Sequence, residues 1–253
     1  MNGAHRAAAL FDRRSRWYDD RYDAHGADGY ALRSRMAATL ALVGTGPGEV
    51  LDAGMGPGRL CVALAERGWR VSGVDVAAEM VELARERLPE ARDRLLRAEM
   101  DSLPFPDESF DAVVATGSLE YAGPARALAE LARVLRPGGA AVVSYPNPFT
   151  IYGMWKTQVV YRSARALRGR ARSAEAPRGA GAITPERFAA LLRSTGLEPG
   201  AYRFTSYLLI PSPLDLLLPA LAEGVGRRLE RGGRLAGALA TQVVYSARKH
   251  EAS

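Results

Sequence analysis

The sequence predicts an α/β fold: a three-layer domain in which helices cover both faces of a mostly parallel sheet. Three observations predict it. Strand-like apolar runs alternate with helix-spaced apolar positions from Val50 to Ser144. Parallel strands need such crossovers, and the crossovers bury both sheet faces. The first run ends in a glycine-rich turn, Gly54–Gly58, and the second ends in a carboxylate, Asp75.

Residues 1–30 are polar and aromatic, with Phe11, Trp17, Tyr18 and Tyr22. Tyr18 and Tyr22 are spaced to share one face of a helix. This segment reads either as an N-terminal arm packed on the main domain or as a lid over a ligand pocket. Residues 31–253 read as one domain. Ala31–Val43 has helical character, and Gly44-Thr-Gly-Pro-Gly48 breaks it. Val50–Ala53 is a central strand by its apolar run. Arg59–Arg67 is a helix with Leu60, Ala63 and Leu64 inward, ended by Gly68. Arg70–Val74 is the second strand and Ala77–Leu88 the second crossover helix.

Arg94–Ala98 reads as a third strand and Phe110–Ala115 as a fourth, with a polar loop from Asp101 to Asp107 between them. Leu128, Leu131, Ala132 and Leu135 have helical spacing, Pro137-Gly-Gly139 stops that helix, and Ala140–Ser144 is the fifth strand. Residues 146–182 break the rhythm and read as an insertion. Thr184 caps the next helix, with Pro185 at its first position and Glu186 favourable to its dipole. Tyr202–Tyr207 and Ala240–Ala247 are the remaining strands, separated by a Leu-rich, Pro-interrupted excursion over 208–238. That excursion shapes either the substrate side or a dimer surface.

Composition excludes several classes. Of 253 residues, 47% are apolar and 25% charged, as in an ordinary globular domain. The net charge of +6 is weak evidence for a polyanionic partner at this size. Cys61 is the only cysteine, and His5, His25 and His250 lie toward the ends, so neither a disulfide, a zinc cluster nor a histidine metal site is expected. The most apolar stretch, Tyr207–Ala222, contains Pro211, Pro213, Asp215 and Pro219 and is short for a membrane span. No export signal is evident, so a cytoplasmic location is expected.

The glycine turn describes a nucleoside pocket. At a strand's carboxyl end, Gly54 and Gly56 can let a ligand approach the backbone, and Gly58 permits close packing of the following helix. The spacing Gly-x-Gly-x-Gly departs from the dinucleotide fingerprint, whose last glycine would fall at Arg59. No Lys-Ser/Thr follows, which excludes a phosphate-loop NTPase. Asp52, at the end of a buried strand, must be satisfied, either by its own turn's N–H groups or by a cationic ligand. Asp75 is placed to accept both ribose hydroxyls, to cap the following helix, or both. Asp101 could accept from an adenine amine, and the Ser102 backbone could donate to a ring nitrogen, with Met100 or Leu103 against the base.

Five segments stand in one order: Leu51-Asp-Ala-Gly-Met-Gly-Pro-Gly58, Gly73-Val-Asp-Val-Ala-Ala-Glu-Met80, Asp101-Ser-Leu-Pro-Phe-Pro-Asp107, Ser109-Phe-Asp-Ala-Val113 and Leu135-Arg-Pro-Gly-Gly139. Together they resemble the class I S-adenosylmethionine-dependent methyltransferases, most of all the small-molecule and ubiquinone/menaquinone-biosynthesis branch. The resemblance covers residues 30–145 well. It implies a Rossmann-like methyltransferase fold with a seven-stranded sheet and an antiparallel last strand, supplied by Ala240–Ala247. It implies S-adenosylmethionine as cofactor. Asp52 and Gly54–Gly58 would line its methionine side, with Thr116 and Gly117 near the ammonium. Asp75 would take the ribose, Val76 and Met80 would flank the adenine, and Asp101 and Ser102 would read its edge. Tyr18 would reach the cofactor from the arm. Met55 stands where small or polar residues are frequent, and its side chain can point away or pack on the helix.

Methyl transfer needs a nucleophile aligned with the S–CH3 bond, and exclusion of water. Candidate bases are Glu120 and Tyr121 after the fourth strand, and Tyr22 and His25 from the arm. Against these roles, Glu120 could cap a helix near Ala122, and His25 could be a surface residue. Residues 116–121 carry no Asn/Asp-Pro-Pro-Tyr/Phe motif and no nucleic-acid module is apparent, so a nucleic-acid partner is not expected. Arg162–Arg178 reads as a solvated loop or a phosphate contact. The expected partner is a small apolar or aromatic acceptor, methylated on oxygen, in a monomer or homodimer. Carbon methylation of a quinone-like acceptor and nitrogen methylation are alternatives. A non-catalytic cofactor-binding scaffold is the alternative of another class.

Overall fold

The computed structural model describes residues 3–147, 150, 184–207, 217–230 and 239–251. The seven strands are β1 (Gly48–Ala53), β2 (Trp69–Asp75), β3 (Leu95–Arg97), β4 (Phe110–Ala115), β5 (Leu135–Pro146), β6 (Leu197–Tyr207) and β7 (Ala240–Lys249). They form one sheet in the order β3-β2-β1-β4-β5-β7-β6. β1 to β5 are mutually parallel, and β7 runs antiparallel to both its neighbours. The chain winds outward from β1 to β3, then returns to lay β4 on the other side of β1. That reversal opens a crevice beyond the carboxyl ends of β1 and β4, where open α/β sheets bind ligands.

The helices are α1 (Gly3–Asp12), α2 (Ser15–Asp20), α3 (Ala27–Val43), α4 (Arg59–Ala65), α5 (Ala78–Arg87), α6 (Pro124–Val134), α7 (Pro185–Ser194) and α8 (Pro219–Glu230). Strand alternation sends successive side chains to opposite faces. Val50, Ala112 and Val114 therefore join Leu40, Leu60, Leu64 and Val81 in one core, under α3, α4 and α5. Leu51, Val113 and Ala115 join Leu128, Leu131, Phe188 and Leu192 in the other, under α6 and α7. Both are closed: Val50, Leu51, Val113 and Val114 have no exposed surface. Thr184 accepts from the Arg187 N–H and caps α7, as its sequence predicts.

Three boundaries differ from expectation. Pro137-Gly-Gly139 does not separate helix from strand; α6 already ends at Val134 and β5 begins at Leu135, with an irregular register to β4 absorbing these residues. β6 starts at Leu197, because an edge strand tolerates Pro199 next to a register shift before Tyr202. α3 begins at Ala27 rather than Ala31. The arm is helical: α1 and α2 pack beside α5, and the Glu79 N–H donates to Asp12 Oδ1 at 3.1 Å. Most of the insertion, with Arg162–Arg178, and residues 208–216 and 231–238 of the excursion lie outside the described residues. Among the described residues no helix is long and apolar enough to cross a membrane, and no cluster of three His, Cys, Asp or Glu could hold a metal.

Candidate active site

The glycine turn is held by its neighbour strand. Gly54 and Met55 both donate to the Val74 carbonyl, at 2.8 and 3.0 Å, and Gly56 donates to Asp75 Oδ2 at 2.9 Å. Gly56 has φ +53°, and a Cβ there would meet nothing within 4 Å, so its backbone borders open space. A Cβ on Gly58 would fall 2.8 Å from the Ala84 Cβ, the close packing of α4 on α5 that its position predicts. Gly54 has a reason the sequence did not offer. A Cβ there would lie 2.3 Å from the Ser118 Cβ, because the loop after β4 crosses it, pinned by Ser118 Oγ donating to the Ala53 carbonyl at 2.9 Å. Met55 is buried against Gly73 and Cys61, out of the crevice.

Asp75 accepts from two backbone donors, Gly56 N–H on Oδ2 and Ala77 N–H on Oδ1, each at 2.9 Å. It joins the turn to the start of α5, so one acid fixes both walls of the crevice. Each oxygen keeps capacity for a second donor, as a sugar diol requires. Burial raises its pKa, and the Ala77 and Gly56 N–H groups oppose that rise.

Asp52 behaves differently from one expectation. The turn's N–H groups go to Val74 and Asp75, and Asp52 Oδ2 receives only the Cys61 thiol, at 3.4 Å. It is 1% exposed, and burial pushes it up to about 7, with Cys61 lowering it and Asp75 raising it. Among the described residues no cation is paired with this buried acid, which suits a cationic ligand. This acid, the diol-ready Asp75 and the open Gly56 backbone together fit S-adenosylmethionine.

The residues expected around the adenine follow β2 and β3. Val76 and Asp101 are half-buried, while Met80 and Met100 are buried. The Ser102 N–H donates to the Glu99 carbonyl at 3.2 Å, so it is not free for a ring nitrogen as expected. The exposed Ser102 side chain remains available.

The acceptor side is richer than the sequence suggests. Thr116 and Gly117 follow β4, and Gly117 donates to Ser144 Oγ at 2.8 Å. A single 3-10 turn spans Leu119–Tyr121. Glu120 caps no helix; Gly123 precedes α6, and the buried Glu120 Oε2 has no hydrogen-bond partner. Burial raises the Glu120 carboxyl, with Arg35 opposing. Arg35, from the middle of α3, lays its guanidinium on Gly117: a Cβ there would sit 2.5 Å from Arg35 Cζ. Burial alone would lower the Arg35 pKa, but Tyr18, Tyr22 and Glu120 outweigh it and hold the cation.

Four rings surround this group. Phe11 meets Tyr18 at 5.6 Å and Tyr121 at 5.3 Å, and Tyr18 meets Tyr22 at 6.0 Å, all edge to face. Tyr18 and Tyr22 therefore come together as their spacing predicts, although Tyr22 lies just beyond α2. Burial, with Tyr18 next, drives the Tyr22 phenol far up, and burial with Glu120 pushes Tyr121 up to about 12. Both shifts favour the neutral phenol near neutrality. His25 is exposed.

The arm is fastened by charge to the start of α4 and the end of α5. Arg59, the first residue of α4, binds Asp19 at 2.6 Å and Asp23 at 2.8 Å, and lies 5.2 Å over the Tyr22 ring. Arg87 binds the other oxygen of Asp19 at 2.7 Å. The sequence reading missed Arg35, Arg59, Arg87 and the two acids. The run Asp19-Asp20…Asp23 opposite an Arg at the turn's end was the available signal for the latch; Arg35 had none, because α3 looks like plain packing.

This fold and crevice define a nucleoside-binding α/β protein whose N-terminal arm is tied to α4 and α5 beside the glycine turn. Residues 51–143 match the family model described as a methyltransferase domain. A demethylmenaquinone methyltransferase from Tropheryma whipplei is 33% identical over 168 residues, covering 64% of this chain and 67% of that protein. A possible histamine N-methyltransferase from Thermotoga maritima superposes with a TM-score of 0.65 at 21% identity, covering 96% of this chain and 99% of that one. The Burkholderia thailandensis 1,6-didemethyltoxoflavin N1-methyltransferase, solved with its substrate and S-adenosylhomocysteine, gives 0.58 at 20% identity, covering 99% and 92%. The chain belongs to the class I S-adenosylmethionine-dependent methyltransferases, of the ubiquinone/menaquinone-like kind. It is an enzyme of the small-molecule type, and S-adenosylmethionine is its cofactor.

Proposed function

We propose that the protein methylates a small, aromatic hydroxylated acceptor, on oxygen in the first instance. The observation that carries this reading is the ring cluster of Phe11, Tyr18, Tyr22 and Tyr121, in which Tyr18 and Tyr22 act on the Arg35 guanidinium that lies on Gly117. Such rings offer edge and face contacts to a planar acceptor and little to a sugar. S-adenosylmethionine supplies a methyl on a sulfonium, and the acceptor's electron pair takes that methyl as the C–S pair returns to sulfur, leaving the neutral thioether.

The chain's residues do the rest. Asp75 takes the ribose hydroxyls, Asp52 faces the cationic end, and Thr116 and Gly117 border it. The arm, in the role of a lid, excludes water and thereby strengthens the electrostatics inside. The proton released from the acceptor passes to solvent or to Glu120. Carbon methylation of a quinol is the second reading, and the relatives named demethylmenaquinone methyltransferases favour it. We place the enzyme in the cytoplasm, as a monomer or homodimer. The test is transfer of labelled methyl to a panel of phenols, hydroquinones, amines and sugars, followed by location of the label. Label on phenol oxygen or quinol carbon supports one reading or the other. Label on amines or sugars alone overturns both, and cofactor binding without any transfer points to a scaffold.

A further inference from the structure

We propose that Arg33 and Glu223 set the hinge of the N-terminal arm, which makes them positioning residues for methyl transfer. This rests on the arm's role as a lid and says what holds it at its base. α2 ends at Asp20 and α3 begins at Ala27, so residues 21–26 are the covalent link between arm and domain. Side chains and carbonyls of that link go to different partners. Asp23 and the Tyr22 ring engage Arg59 of α4. The Tyr22 and Ala24 carbonyls both accept from Arg33 Nη1, at 2.7 and 2.9 Å. Nη2 of the same guanidinium donates to Glu223 Oε1 at 2.9 Å, and the Gly26 N–H donates to that oxygen at 3.4 Å. One fork and one carboxylate thus gather the whole link onto α3 and α8.

The packing around the link supports the same role. A Cβ on Gly29 would fall 2.0 Å from the Ala24 carbonyl oxygen and 2.8 Å from that of Arg21, so the link lies flat on the first turn of α3. Tyr30 and Arg33, three residues apart, share a face of α3. α8 lies on that face: a Cβ on Gly226 would sit 2.5 Å from the Tyr30 ring, and the Tyr30 hydroxyl donates to Glu230 at 2.6 Å. Both acids of α8 are therefore spent on α3. Glu223 is largely buried, and its other oxygen lies 3.5 Å from Arg227 of its own helix. The helix of the excursion between β6 and β7 braces the arm from outside the crevice. Tyr22 begins the held stretch and its ring meets Tyr18, so the set of the hinge decides where the ring cluster stands.

The test follows S-adenosylhomocysteine release from the full chain in stopped-flow chases, with hydrogen–deuterium exchange read peptide by peptide. Arg33→Met and Glu223→Gln should each release the ligand roughly three- to tenfold faster, the share of one or two hydrogen bonds. Exchange should rise across residues 3–24 and stay at the wild-type level in β1 and β4. The double variant should be no faster than Arg33→Met, because both residues act through one network. Arg33→Lys should recover only part of the wild-type rate, since an ammonium cannot reproduce the fork. If Arg33→Met does not fold, Glu223→Gln carries the same two readouts. Wild-type release from a folded variant overturns the proposal, as do factors that multiply in the double variant. Exchange that rises equally in β1 and β4 marks a merely structural contact and overturns it too. Arg59→Ala in the same chase separates the lid from its hinge. Faster release there, with none in Arg33→Met or Glu223→Gln, sinks the hinge alone; wild-type release in all three sinks the lid reading, and the hinge with it.

Discussion

Asp75→Ala perturbs the crevice at its hinge. In the free protein the carboxylate accepts from Gly56 and Ala77, each at 2.9 Å, and ties the glycine turn to the start of α5. With cofactor bound it would also accept both ribose hydroxyls. Hydrogen bonds to charged groups contribute about 1.5–3 kcal/mol each net, and loss of two to the ribose is offset in part by water entering. A net loss of about 2–4 kcal/mol follows, or roughly 30- to 1,000-fold in affinity. Removing the acid also orphans two N–H groups, one beside open space where water can replace it. Stability should therefore fall by only about 1–2 kcal/mol. The assay is calorimetric titration with S-adenosylhomocysteine, alongside urea unfolding of the same preparations. Asp75→Asn should fall between, since its amide keeps one acceptor and turns a donor toward one of the backbone N–H groups. A folded Asp75→Ala protein that binds within twofold of wild type would refute the assignment of the ribose to this acid.

Other consequences are open to measurement. The Asp52 carboxyl rises from an ordinary 3.8 to about 7 in the folded chain, so the folded state favours its neutral form. Its contribution to stability is present below the unfolded pKa and is lost as pH rises toward 7, because the unfolded chain ionises first. Asp52→Asn should flatten that slope and raise the melting temperature of the ligand-free protein at pH 8, while weakening cofactor affinity; an unchanged slope in a pH series of melts would contradict it. Gly58→Ala places a Cβ 2.8 Å from Ala84 at a φ of +79°, and should lose roughly 1–3 kcal/mol in urea unfolding; a loss below half of that range's lower end would sink the packing argument. Arg59→Ala frees Asp19 and Asp23, so S-adenosylhomocysteine should leave several-fold faster in stopped-flow chases, with a weaker salt dependence than wild type. Equal release rates would mean the arm is no lid.

What the sequence made legible was whatever local chemistry dictates. Apolar runs gave β1, β2 and β4 to within two residues, since an apolar run bounded by turns has few other places to go. The glycine turn and Asp75 were readable because backbone conformation and a fixed strand-to-strand reach constrain residue type. Ser102 was misjudged because a loop's own turn, here to Glu99, competes for a backbone donor and leaves no mark in spacing. Asp52 was half legible: its burial followed from its strand, but its partner, Cys61, is set by the helix that packs above it. Arg35 was invisible, since nothing in the helical run Ala31–Val43 tells that one residue will reach the loop after β4. Contacts made through tertiary packing alone, such as Phe11 on Tyr121, share that fate.

The most direct test is a crystal structure of the protein grown with S-adenosylhomocysteine. The account predicts both ribose hydroxyls within hydrogen-bond distance of the Asp75 carboxylate, with the homocysteine end laid over Gly54–Gly56 toward Gly117. A ligand whose sugar lies away from Asp75, on a turn that keeps its distance, would contradict it.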